Sequence, residues 1–167
     1  MGLTLIVMRH SHAASDREYE DRQRPLTEEG IQLAITTGRK LCDLRLVPDI
    51  IVASAAVRTM HTANLVVQQF DSDVLLASAE ELYLARADVY LTVIRQSAPQ
   101  DASTVMVVGH NPGVGTLMQG LSGQPLCVTL ATVGAFEIHA DSWRELQSPS
   151  RVSATLKHLI VNGIVDL

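Results

Sequence analysis

The sequence predicts an α/β fold: a three-layer α/β/α sandwich with a mostly parallel central sheet and an antiparallel C-terminal edge. Three observations predict it. Apolar runs recur at residues 3–8, 50–53 and 105–108, as expected of strands covered on both faces. Between them, apolar residues repeat at helical spacing. After Gly123 that alternation stops and short strand-like runs follow each other.

Taken in order, residues 3–8 read as a central parallel strand. Residues 11–26 carry Asp16, Arg17, Glu18, Glu20, Asp21, Arg22 and Arg24 and read mostly as solvated loop. Thr27 is the expected N-cap of a first helix, with Glu28 and Glu29 in its first turn. Ile31, Ala34, Ile35, Gly38, Leu41 and Cys42 form its buried face. Pro48-Asp49 breaks the chain before a second strand at 50–53. Residues 57–70 form a second helix that packs through Met60, Leu65 and Val67. A short strand is expected at 74–76, a third helix at 86–97 closed by Ala98-Pro99, and a third parallel strand at 104–108. Pro112, at a first helical position, and Gly113 open a fourth helix running to about Leu121. Residues 128–130, 135–139 and 154–161 are expected as antiparallel strands on one edge.

Length and composition bound the function. The 167 residues fit one domain, 1–167, and 47% hydrophobic content excludes a mainly disordered chain. No apolar run approaches the ~20 residues of a membrane span. The N-terminal apolar stretch is too short for a signal peptide and has no basic segment before it, so a cytoplasmic location is expected. Cys42 and Cys127 lie far apart in apolar surroundings and read as reduced core thiols. A net charge of −5 argues against a general nucleic-acid surface. Arginine outnumbers lysine 11 to 2, which suits phosphate recognition, though codon bias gives the same ratio.

Basic residues cluster where strands end. Arg9-His10 closes the first apolar run, and Ser54 with Arg58 follows the second. Gly109-His110-Asn111-Pro112 follows the third, and Arg24-Pro25-Leu26-Thr27 precedes the first helix. In open α/β folds the carboxyl edge of the sheet binds ligands. Histidine can act as a nucleophile, and arginine offers a planar fork that matches phosphate oxygens.

These four segments, in this order, resemble the histidine phosphatase superfamily, the phosphoglycerate mutase-like or RHG-motif family, and most closely its short SixA-type phosphohistidine phosphatases. The resemblance covers residues 3 to about 115; Ser11 stands where the family has glycine. It implies a nucleophile at His10 and a phosphate pocket of Arg9, Arg58 and His110, with Arg24 in the same role. Neighbouring arginines are expected to disfavour the imidazolium and keep His10 reactive. A backbone carbonyl would hold its other ring nitrogen. Ser54 either contacts phosphate or caps the following helix. Most of the superfamily carries a glutamate proton donor; Glu81 is the candidate here, and an exposed acid is its equal alternative. SixA-like members manage without a clear acid, because a phosphorylated imidazole leaves more easily than an alkoxide.

His10-x-His12 invites a metal reading, but no cysteine or acid stands at ligand spacing and the arginines would repel a cation. Between Ser54 and His110 the expected helices and strands leave little chain for a cap domain, so an open site is expected. The expectation is a metal-independent phosphatase that uses no cofactor. It would hydrolyse phosphohistidine on a protein through an intermediate on His10 and release inorganic phosphate, without nucleic-acid or membrane partners. The alternatives are a small-molecule phosphomonoesterase of the same superfamily and a phosphate-binding module without turnover.

Overall fold

Alternate side chains of β1 (Leu3–Arg9) bury into opposite faces of one sheet, and that alternation sets the layering. A computed structural model describes residues 2–167. Leu5 and Val7 join one apolar cluster with Tyr90, Leu91 and Ile94 of α3 (Ala87–Ser97) and Val114, Leu117 and Met118 of α4 (Gly113–Ser122). Ile6 and Met8 join a second cluster with Leu41 of α1 (Glu28–Asp43) and Ala63 and Val66 of α2 (Val57–Val67). Two helices therefore cover each face.

The remaining strands are β2 (Ile50–Ser54), β3 (Leu75–Ala79), β4 (Thr104–Gly109), β5 (Val133–Ile138), β6 (Ala154–Val161) and β7 (Ile164–Val165). Their order across the sheet is β3-β2-β4-β1-β5-β6-β7. The four strands from β3 to β1 run parallel, and β5, β6 and β7 continue the sheet antiparallel. β1 and β4 are neighbours, yet the chain leaves β1 toward α1 on one face and β4 toward α4 on the other. The crevice between two such departures is the binding position of open α/β sheets. Between β2 and β4 the chain is taken up by α2, β3, a short turn at Glu80–Leu82 and α3.

Several expectations need correction. Residues 128–130 form no strand, because the Val128 carbonyl accepts from Arg9 Nη1 at 3.3 Å and Asn111 Nδ2 at 2.8 Å. Side chains, rather than a neighbouring strand, satisfy that backbone. α2 ends at Val67, where Gln69 N and Phe70 N turn back to the carbonyls of Val66 and Val67 and tighten the last turn. β3 runs on to Ala79, beyond the expected 74–76. Cys127 is exposed rather than in the core, and Cys42 is half-buried. β7 was not expected; Asn162 and Gly163, with φ of 52° and 71°, form the two-residue turn that returns the chain.

Candidate active site

β1 and β4 deliver both histidines to one point. His10 N donates to the Gly109 carbonyl at 3.0 Å, and the His10 carbonyl accepts from Ala131 N at 3.1 Å, so this strand end is pinned on both sides. The Ser11 carbonyl lies 2.7 Å from His10 Nδ1. A carbonyl only accepts, so Nδ1 carries the proton and Nε2 keeps its lone pair. Arg58 Nε donates to that Nε2 at 3.3 Å. The carbonyl expected to fix the tautomer is thus that of the next residue.

Ser11 is fully buried and ties the His10 loop to two helices. Its amide donates to Thr62 Oγ1 at 3.1 Å, and its hydroxyl donates to the Gly30 carbonyl at 2.7 Å. A serine where the resemblance implies glycine therefore acts as a fastener to α1. His12 Nδ1 is 3.0 Å from the hydroxyl of Thr27, the N-cap of α1.

Arg58, the second residue of α2, is 2% exposed and sits at the centre of the cluster. Its Nη2 donates to His110 Nδ1 at 3.2 Å. Arginine has no lone pair to offer, so His110 carries its proton on Nε2 and donates it to Ser54 Oγ at 2.8 Å. Ser54 thereby orients His110, and the N-cap of α2, Ala56, offers no side-chain hydrogen bond. The His110 amide donates to the Tyr90 hydroxyl at 3.0 Å. A Cβ at Gly109 would lie 2.0 Å from that hydroxyl, so only glycine fits there. The His10 and His110 ring centroids are 5.3 Å apart.

Both imidazoles are held neutral. The His10 pKa falls to about 4, first through burial and then through the charges of Arg58, Arg9 and Arg24, against the opposing Ser11 hydrogen bond. The His110 pKa falls to about 3, again chiefly through burial and then Arg58. Desolvation thus outranks the arginines that the sequence singled out. Arg9 Nε is buried with no hydrogen-bond partner among the described residues, and burial lowers its pKa. Arg24 is half-buried, donating from Nε to the Ala14 carbonyl at 2.7 Å and from Nη1 to Asp21 Oδ1 at 3.1 Å.

Asp21 and Tyr83 are site residues that the sequence did not single out. Asp21 Oδ2 accepts from Arg58 Nη2 at 3.1 Å and from the Tyr83 hydroxyl, and its carbonyl accepts from Arg58 Nη1 at 2.6 Å. The Tyr83 and then the Arg24 and Arg58 hydrogen bonds hold the Asp21 pKa down at about 2. The Tyr83 ring packs edge-on to His110, with centroids 5.5 Å apart. Glu81 is exposed on the preceding turn and takes no part in this hydrogen-bond network. The Arg22 guanidinium covers the Tyr83 ring at 4.1 Å and pairs with Glu80 at 2.6 Å. The result is an unprotonated ring nitrogen facing a buried guanidinium and a second imidazole, the components of in-line attack on a phosphoryl group.

No family model matches the chain. It is similar to an uncharacterized chloroplastic protein of Arabidopsis thaliana, 27% identical over 150 residues that cover 84% of this chain and 69% of that one. A stretch of 67 residues, 40% of this chain, is 34% identical to mitochondrial serine/threonine-protein phosphatase Pgam5 of Drosophila melanogaster and covers 23% of that protein. Among solved structures, a candidate phosphohistidine phosphatase SixA from Nakamurella multipartitia matches with a TM-score of 0.80 at 24% identity, covering 96% of both chains. A candidate SixA from Agrobacterium tumefaciens matches with a TM-score of 0.74 at 26% identity, covering 82% of this chain and 92% of that one. A candidate alpha-ribazole-5'-P phosphatase from Escherichia coli shares the fold at a TM-score of 0.69 and 17% identity, covering 94% and 95%. With paired histidines and arginines at its strand ends, the chain shares the fold of these solved structures, which are members of the histidine phosphatase superfamily.

Proposed function

We propose that this protein is a phosphohistidine phosphatase acting on phosphate displayed by another protein. In the first step the His10 Nε2 lone pair forms a bond to phosphorus as the bond to the substrate's imidazole nitrogen breaks. In the second, water attacks the phosphorylated His10, releases inorganic phosphate and restores the free ring. Arg58, His110, Arg9 and Arg24 supply the charge and donors around the equatorial oxygens. His110 would donate to them only after the arriving phosphate changes its partners, since its single proton rests on Ser54.

The observation that carries the substrate class is the state of the acids. Asp21 is held as an anion by three donors, and Glu81 is exposed outside the network. A site without a ready proton suits the leaving group that needs least protonation, and imidazole needs less than an alkoxide. The absence of chain for a cap between β2 and β4 supports access by a folded protein. The cationic lining supports catalysis without a divalent ion, so turnover should survive dialysis against EDTA. Loss on chelation with rescue by one metal would overturn that part.

The test is turnover on a phosphohistidine-bearing protein compared with a panel of phosphomonoesters. The expected order in kcat/KM is phosphohistidine, then aryl phosphate, then alkyl phosphate. Preference for a sugar phosphate or phosphoglycerate would make the protein a small-molecule phosphomonoesterase. Oxyanion binding without any turnover would make it a binding module.

A further inference from the structure

We propose that Asn111, the residue after His110, is a positioning residue that aims Arg9 at the phosphoryl group by fixing the carbonyl to which Arg9 is tied. The proposal rests on reading Arg9 as a phosphate ligand. It goes beyond that reading in making a carboxamide that touches no substrate a determinant of oxyanion affinity.

Arg9 is the least fastened of the cations at the site. Arg58 donates to His10, His110 and Asp21, and Arg24 to Asp21 and the Ala14 carbonyl. The Arg9 side chain donates only to the Val128 carbonyl, at 3.3 Å, and its buried Nε has no partner among the described residues. A long side chain held by one bond swings about it. The aim of its remaining N–H groups, which an oxyanion would meet as a planar fork, therefore depends on where Val128 is held.

Asn111 does the holding. Its Nδ2 donates to the Val128 carbonyl at 2.8 Å, closer than Arg9 Nη1 approaches the same oxygen. A carbonyl oxygen has two lone pairs, and here one serves each donor. The Asn111 Oδ1 accepts from Gly115 N at 3.1 Å, in the first turn of α4. A backbone amide only donates and a carbonyl only accepts, so the carboxamide fits between them in one orientation. A carboxylate would serve Gly115 and repel Val128. Val128 is itself buried in the cluster that contains Leu117 and Met118 of α4. Beyond it, Ala131 N donates to the His10 carbonyl and Arg9 N to the Thr132 carbonyl, both at 3.1 Å. Residues 128–132 thus lie along the end of β1, and Asn111 ties the start of that segment to α4. Because Asn111 adjoins His110, one side chain sets the spacing between two walls of the pocket, Arg9 from β1 and His110 from β4.

The experiment is a double-mutant cycle on tungstate binding by calorimetry and on kcat/KM for phenyl phosphate, which stays measurable where binding is weak. It uses the unmodified protein, Asn111→Ala, Asn111→Leu, Arg9→Ala and the two Asn111/Arg9 pairs. Both Asn111 variants lose the donor to Val128; alanine leaves a gap and leucine fills it. Each is expected to bind tungstate about tenfold more weakly, with kcat/KM falling in parallel. In the Arg9→Ala background neither substitution should cause a further loss. Unchanged affinity in the single variants, or an equal further loss without Arg9, would overturn the proposal and leave Asn111 a support of α4. If Arg9→Ala binds and turns over like the unmodified protein, Arg9 is no phosphate ligand, and the pocket reading falls together with the proposal. A crystal structure of the unmodified protein with tungstate needs no variant. There the oxyanion should meet Arg9 while the Val128 carbonyl still accepts from Asn111 Nδ2 and Arg9 Nη1. An Arg9 that reaches tungstate only after leaving Val128 would sink the idea.

Discussion

At His10, burial and the Arg58, Arg9 and Arg24 charges all disfavour the imidazolium, and the Ser11 carbonyl opposes them. The first two prevail, and the ring stays neutral down to about pH 4 rather than the ~6.5 of a free histidine. Imidazole NMR on the free protein should therefore show His10 titrating near pH 4 with its proton on Nδ1; a midpoint near 6.5 would mean an open, solvated ring. His10→Ala should fold yet lose more than about a thousandfold in turnover. Acid-quenched unmodified protein should carry acid-labile phosphate on His10, and full activity in the alanine variant would reject it as nucleophile. Tyr90 acts one step further out. Its hydroxyl accepts from the His110 amide, and Tyr90→Phe would leave that buried N–H unpaired. The expected loss is about 1–3 kcal/mol of stability by urea unfolding.

The first turn of α1 is docked on the loop after β1, and Gly30 makes the docking possible. A Cβ there would sit 2.0 Å from the His12 backbone oxygen, which cannot rotate away. Gly30→Ala should push the loop off α1, strain the Ser11 bond to the Gly30 carbonyl and displace His10. Expected are a loss of about 1–3 kcal/mol in denaturant unfolding and a fall in kcat larger than any change in oxyanion affinity. Unaltered stability would mean that the loop is free to shift. This docking also shows what the sequence makes legible. Thr27 as N-cap and the apolar periodicity of α1 are local signals, and the structure matches them. The strand-end positions of His10 and His110, and the place of Arg58 just after β2, follow from apolar runs that stop abruptly. Asp21 and Tyr83 gave no such signal. Each lies in or beside a short turn, and only the folded path of both loops brings them onto Arg58. Residues 128–130 look like a strand because apolarity alone cannot show that side chains claim the Val128 carbonyl. Asn162-Gly163 was readable as a hairpin turn, and its two positive φ angles explain the β7 return.

For the whole molecule, the chain departs β1 and β4 toward opposite faces, so the site lies where the backbone opens a crevice. That arrangement buries two histidines beside a guanidinium, and global stability inherits the consequence. Folded pKa values of about 4 for His10 and about 3 for His110 lie below the ~6.5 of the unfolded chain. Between those limits the unfolded state binds more protons than the folded one, so stability rises with pH. The contribution is complete above the unfolded value and is lost progressively as pH falls toward 4 and then 3. Asp21, pulled from 3.8 to about 2, adds a further loss below pH 4 in the same direction. From pH 7 to pH 5 each histidine should cost about 2 kcal/mol of unfolding free energy. The check is a series of urea denaturations at constant ionic strength for the unmodified protein and a His10→Asn/His110→Gln double variant. The unmodified protein should weaken steeply across that interval, and the double variant should be nearly flat. Equal slopes would show that the two imidazoles are hydrated in the folded state, against the buried cluster around Arg58.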